Sequence, residues 1–210
     1  MFLNEVKDLT KGWLNHAGAT DEIFQHSTAQ EFYRFFFYFI PFNAQYTAIA
    51  RYLKKHKNTE LNLINGDNIS DGTSAVAGVR EFLSGLDSEQ KPLASFDDVV
   101  VSRGREEGQN AVSTLATLIG VGNFHIHVSY DGRVKHDKDD ELVEMLKSEN
   151  SAERVKGVLT VIYQVRCNMF HGKKLLLPTQ QDLLIPINDL LKVLTEKLQL
   201  ELDNLGSESI

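Results

Sequence analysis

The chain reads as a mainly α-helical bundle interrupted by a small α/β insertion. Three observations predict this. Apolar residues recur at three- and four-residue steps in two widely separated halves, about residues 20–57 and 139–205. A helix-capping signature precedes a long apolar stripe in each half. The stretch between them, about 58–138, loses that period and holds loop-rich and alternating segments. The whole chain, 1–210, is taken as one domain of 210 residues carrying this insertion.

Residues 1–20 are expected to form a short loop or helix around Trp13. "STAQ" places Ser27 three residues before Gln30, a capping box. The helix it opens carries Phe32, Phe35, Phe36, Phe39, Phe42, Tyr46 and Ile49 on one wide stripe, with Pro41 expected to kink or split it. Core packing explains that stripe; a base-stacking surface is the alternative.

In the insertion, "INGDNISDGTS" has the composition of a loop and "SAVAGVREFLSGL" that of a short helix. "DDVVVS" predicts a strand and "GQNAVSTLATLIG" a helix. "NFHIHVSYDGRVKHD" predicts a hairpin turning at Asp131-Gly132, with Phe124, Ile126 and Val128 alternating against His125, His127 and Ser129. From Asp139 the chain turns helical again. Asn150 and Glu153 form a second capping box, and the helix runs to about His171, with Gly172 as a left-handed cap. After Pro178, the leucines and isoleucine from Leu183 to Leu205 mark a final amphipathic helix.

Composition excludes several classes. "MFLNEVKDLT" has no secretory character. The apolar run from Phe35 to Phe42 is too short to span a bilayer, so no membrane partner is expected. A single cysteine forms no internal disulfide and suits a reducing cytoplasm. A net charge of −7 argues against sequence-blind coating of nucleic acid, and leaves room for a local basic site.

The stretch "QVRCNMFHGKK", residues 164–174, holds the candidate chemistry. At about 100° per residue, Val155, Val158, Leu159, Ile162, Val165, Met169 and Phe170 occupy an arc of about 140°, and Arg166 falls near its middle. An arginine there needs a carboxylate, backbone carbonyls or a phosphate. An ion pair with an acid of the insertion would satisfy it structurally. Asn168 and His171 share the opposite, polar side, with His171 about 140° from Arg166. Unwinding at Phe170 would bring the two together. So would a two-fold pairing of this helix with its copy.

The Arg-x4-His pattern, with Asn168 two residues after the arginine and "FHG" at its end, resembles the signature of HEPN domains. It is most similar to the Apea-like branch, whose motif reads close to "RNNLFHG"; "FFFYFIPFNAQY" is similar to that branch's "AFNALY" helix. The resemblance covers roughly residues 25–57 and 145–205, and not the insertion. Cys167 departs from the common asparagine, and Lys173 stands where another branch has tyrosine. The resemblance implies a HEPN-like helical bundle, a homodimer through the motif helix, and metal-independent endoribonuclease activity. It further implies toxin–antitoxin or antiphage roles, with an antitoxin or regulatory protein as partner. Some relatives only bind RNA, a nucleotide or a protein.

The residue types suit that chemistry. RNA carries its own nucleophile, the 2′-OH. His171 has the pKa range for acid–base work, and Arg166 presents a fork that matches phosphate oxygens. Asn168 would orient the histidine or bind a phosphate, and Lys173 and Lys174 would hold the flanking backbone. From Arg154 to Lys174 the charged residues are Arg154, Lys156, Arg166, Lys173 and Lys174, a basic strip. The plain alternative for His171 is a cation at a helix C-terminus.

Competing sites are weaker. His125-x-His127, followed by His136, Asp137, Asp139 and Asp140, offers donors for a divalent metal, though the wet face of a hairpin explains them equally. "GVG" at 120–122 lacks the context of a dinucleotide fingerprint, and "SRGREEGQ" reads as an exposed loop. No metal or cofactor is expected.

Overall fold

The computed structural model describes residues 2–23, 27–56, 70–85, 111–129, 131–170 and 178–207. These residues form a helical bundle. Its helices are α1 (Phe2–Ile23), α2 (Thr28–His56), α3, α4 (Ala111–Gly120), α5 (His136–Lys147), α6 (Ser151–Phe170) and α7 (Gln181–Ser207). Here α3 denotes one helical segment made of Asp71–Thr73, a π-helical turn over Ser74–Gly78, and Val79–Gly85. A 3-10 turn, Pro178–Gln180, leads into α7.

Local chemistry places the helix starts. The Gln30 N–H donates to Ser27 Oγ at 3.2 Å, so the first capping box forms on one side. Asn150 Oδ1 accepts from the N–H groups of Ala152 at 2.9 Å and Glu153 at 3.4 Å, opening α6. Pro41 neither ends nor divides α2, which runs unbroken from Thr28 to His56. A proline lacks one backbone donor, and its burial against the neighbouring helices holds the turn that this weakens.

α2 packs against α1, α3 and α7, while α7 also meets α1, α4 and α6. α5 lies between α4 and α6. One contiguous core takes Phe35, Phe42, Tyr46 and Leu53 from α2, Leu159 and Ile162 from α6, and Ile187, Leu191, Leu194 and Leu198 from α7. The aromatic stripe of α2 is therefore mainly core, through Phe35, Phe39, Phe42 and Tyr46. The insertion is no appendage: Phe82, Leu83, Leu115, Ile119 and Ile126 are buried in the same cluster.

A buried polar group fastens α7 to α2. Glu31 is inaccessible to solvent, pairs with Arg34 Nη1 at 2.9 Å, and accepts from the Asn188 amide at 2.9 Å. The Asn188 amide also donates to the Glu31 carbonyl at 2.8 Å.

Of the two alternatives for the first residues, loop or helix, the chain takes the helix, α1, which buries Val6 and sets Trp13 against Phe37 at 5.8 Å. Other expectations are corrected. The described part of "INGDNISDGTS" opens α3, because Ser70 Oγ accepts from the Thr73 N–H and caps it. α5 begins at His136 rather than Asp139. The hairpin shrinks to one antiparallel bridge, Val128–Val134, around the left-handed Gly132 (φ 81°). Among the described residues there is no extended strand, so the α/β character of the insertion is not observed. "DDVVVS" and "SRGREEGQ" lie outside the described residues.

Candidate functional site

Arg166 sits on the face of α6 that turns toward α2 and the start of α3. Its guanidinium carbon lies 5.9 Å from the Phe39 ring centroid, 5.9 Å from that of Tyr163 and 5.1 Å from that of Phe170. Cation–π attraction and packing of the aliphatic stem make this apolar position tolerable. Nη2 lies 3.4 Å from Asp71 Oδ2, and Nη1 makes a weak contact with Cys167 Sγ at 3.9 Å. The buried Nε has no acceptor among the described residues.

Asp71 is itself held. The Tyr46 hydroxyl donates to its Oδ1 at 2.6 Å, and the same hydroxyl touches the Asn43 side-chain amide. Burial first, then the hydrogen bond and charge of Asp71, push the Tyr46 phenol well above its ordinary range. Burial, followed by Cys167, pushes Tyr163 up to about 12. Both phenols are thus protonated donors near neutral pH.

The approach of α3 to α6 depends on Gly72. A Cβ there would stand 3.0 Å from Tyr163 Cε1, so any larger residue would press on the Tyr163 ring, and glycine leaves room for the segment carrying Asp71 to come this near. The π-helical turn at Ser74–Gly78 follows at once, with Ala75 buried against the core. The ion pair stays accessible, with side-chain exposures of 25% for Arg166 and 43% for Asp71.

Asn168 is not beside Arg166. Its side is not a wet one: the residue is buried, and its amide donates to the Ile126 carbonyl at 2.8 Å. Asp139 grips the other edge of that segment, accepting from the N–H groups of Ile126 at 3.2 Å and His127 at 2.8 Å. His127 Nδ1 lies 3.0 Å from Asp139 Oδ1, and His125 Nδ1 3.5 Å from Oδ2. The two histidines therefore brace a clamped loop. No group of three or more His, Cys, Asp or Glu side chains among the described residues is arranged to hold a metal ion.

In the described part of the basic strip two cations are engaged locally. Lys156 pairs with Glu153 at 3.4 Å, and the Arg154 guanidinium folds back on the Ser148 carbonyl. His171, Gly172, Lys173 and Lys174 lie outside the described residues. Of the expected site residues, the geometry thus describes Arg166 and Asn168, and it separates them.

Asp71, Tyr46 and Tyr163, which surround Arg166, were not legible as its neighbours in the amino-acid sequence. The signal for Asp71 was the need of an arginine on an apolar face for a carboxylate. Nothing local to "NISDGTS" showed which acid would supply it.

No helix of the described residues is long and apolar enough to cross a membrane. No family model, curated protein or solved structure matches the chain.

Proposed function

We propose that the protein is a cytoplasmic, metal-independent endoribonuclease of HEPN type, acting as a homodimer through α6. The observation that carries this reading is the state of Arg166. A permanently charged fork stands on an aromatic wall at the end of α6, held by one single-point carboxylate contact at 3.4 Å rather than a bidentate pair. It precedes His171 by five residues in the chain.

In the proposed reaction the 2′-OH attacks the adjacent phosphorus and leaves a 2′,3′-cyclic phosphate and a free 5′-hydroxyl. Arg166 takes the phosphate oxygens and stabilises the charge that builds on them. His171 of one copy removes the 2′-OH proton, and the partner copy's histidine protonates the leaving 5′-oxygen. Lys173 and Lys174 hold flanking phosphates. Asn168 acts indirectly, by fixing α6 on the Ile126 segment. A toxin or antiphage role, with a restraining protein partner, accompanies this reading.

A second reading has its own observation. Arg166 already has a carboxylate from the insertion, which suits a non-catalytic module that binds RNA, a nucleotide or a protein. Cleavage of a mixed RNA pool in EDTA, beside His171→Ala and Arg166→Ala, decides between them. Cyclic-phosphate ends, lost in both variants with folding intact, are the expected result. Absence of cleavage, or cleavage indifferent to both changes, overturns the nuclease.

A further inference from the structure

The proposed chemistry leaves one feature of the site unused. Phe170 closes α6 with 52% of its surface exposed. Its ring is nevertheless braced: Phe36 meets it edge-on at 5.0 Å and 60°, and Phe39 lies 6.5 Å away. Phe36 is backed in turn by Phe32 at 4.9 Å. The Arg166 guanidinium stands 5.1 Å from the Phe170 centroid. The ring is thus half exposed and held in a set orientation, with the guanidinium carbon over one of its faces.

We infer that Phe170 is a stacking platform for one unpaired nucleobase whose neighbouring phosphate lies on Arg166. The rim decides the occupant. A purely apolar partner would bury the Arg166 charge and its Asp71 contact with nothing to replace their hydration. A nucleotide offers both matching groups: a π face for the ring and a phosphate for the fork. The phosphate displaces Asp71, whose long single-point contact is the weaker of the two. A base inside a duplex has both faces covered, so the subsite takes a strand that is unpaired at this point. Every base has a π face, so the contact tolerates sequence. The inference rests on the RNA reading above and adds the subsite that positions the strand.

The test uses an oligoribonucleotide with 2′-O-methyl groups throughout, which cannot be cleaved, carrying a fluorescent 2-aminopurine. Binding to the intact protein is expected to quench the probe. Phe170→Trp keeps this, whereas Phe170→Ala and Phe170→Leu weaken binding about tenfold, the leucine keeping apolar bulk without a π face. Annealing a complementary strand abolishes binding. Wild-type affinity in the alanine and leucine variants, or equal binding of the duplex, overturns the inference. So does a change of oligomeric state in those variants with quenching intact, which would assign Phe170 to a contact between copies. Cleavage of unmodified RNA without any dependence on Phe170 removes the platform and leaves the nuclease. Phe170-dependent stacking without cleavage removes the nuclease and leaves the platform.

Discussion

The Nη2 of Arg166 and the Oδ2 of Asp71 lie 3.4 Å apart, joining the motif helix to the first turn of α3. Both side chains are partly open to solvent, so the contact is worth on the order of 1 kcal/mol or less. A contact that weak holds the guanidinium in place and still yields to a phosphate. Asp71→Asn removes the competing charge without altering shape. It should shift the melting temperature little and tighten RNA binding about threefold. Thermal melts beside filter binding at two salt concentrations check both parts; weaker binding would make Asp71 a positioning group instead.

Tyr46→Phe deletes the hydroxyl that donates to Asp71 at 2.6 Å. The expected loss is about 1 kcal/mol of stability, measured as a lower urea midpoint at unchanged slope. A double variant Asp71→Ala, Tyr46→Phe that loses less than the two single variants summed would show that the two groups act as one pair.

Alkaline pH should loosen this region. The Tyr163 phenol titrates from 10.0 up to about 12 in the fold, and Tyr46 shifts in the same direction. The folded state therefore keeps protons that the unfolded chain has released. This stabilisation is present below pH 10 and is lost as pH rises from 10 toward 12. Stability curves at pH 9 to 12 should fall more steeply for the wild type than for Tyr163→Phe.

Glu31 is buried between Arg34 and Asn188. Glu31→Ala removes the buried carboxylate that pairs with Arg34 and accepts from Asn188, leaving the Asn188 amide only the residue-31 carbonyl, and should cost about 3 kcal/mol. Chemical denaturation reads this. A change below 1 kcal/mol would mean that Asp189, 3.6 Å from Arg34 Nη2, takes over the charge.

Gly157 sets the spacing of α5 and α6. A Cβ there would stand 3.2 Å from the Leu146 backbone nitrogen and from Met145 Cβ. Gly157→Ala gains helix propensity but forces the helices apart, with a net loss of about 1–3 kcal/mol. A raised melting temperature would show that α5 moves freely.

The sequence by itself determined α2, α6 and α7 with their buried stripes, and the caps of the first two at Ser27 and Asn150. These are set by hydrogen bonds and periodicities within a few residues, which a one-dimensional reading contains. It also showed that Arg166 needs a partner, because an arginine on an apolar arc is costly alone. Only the tertiary structure decided who that partner is. Asp71 lies far away in the chain, and the close approach permitted by Gly72 brings it to α6. The same holds for Asn168. Its polar character was legible, but whether its side faced water or the Ile126 segment depended on where the insertion packs. Long-range packing chooses among partners that the local pattern leaves equivalent.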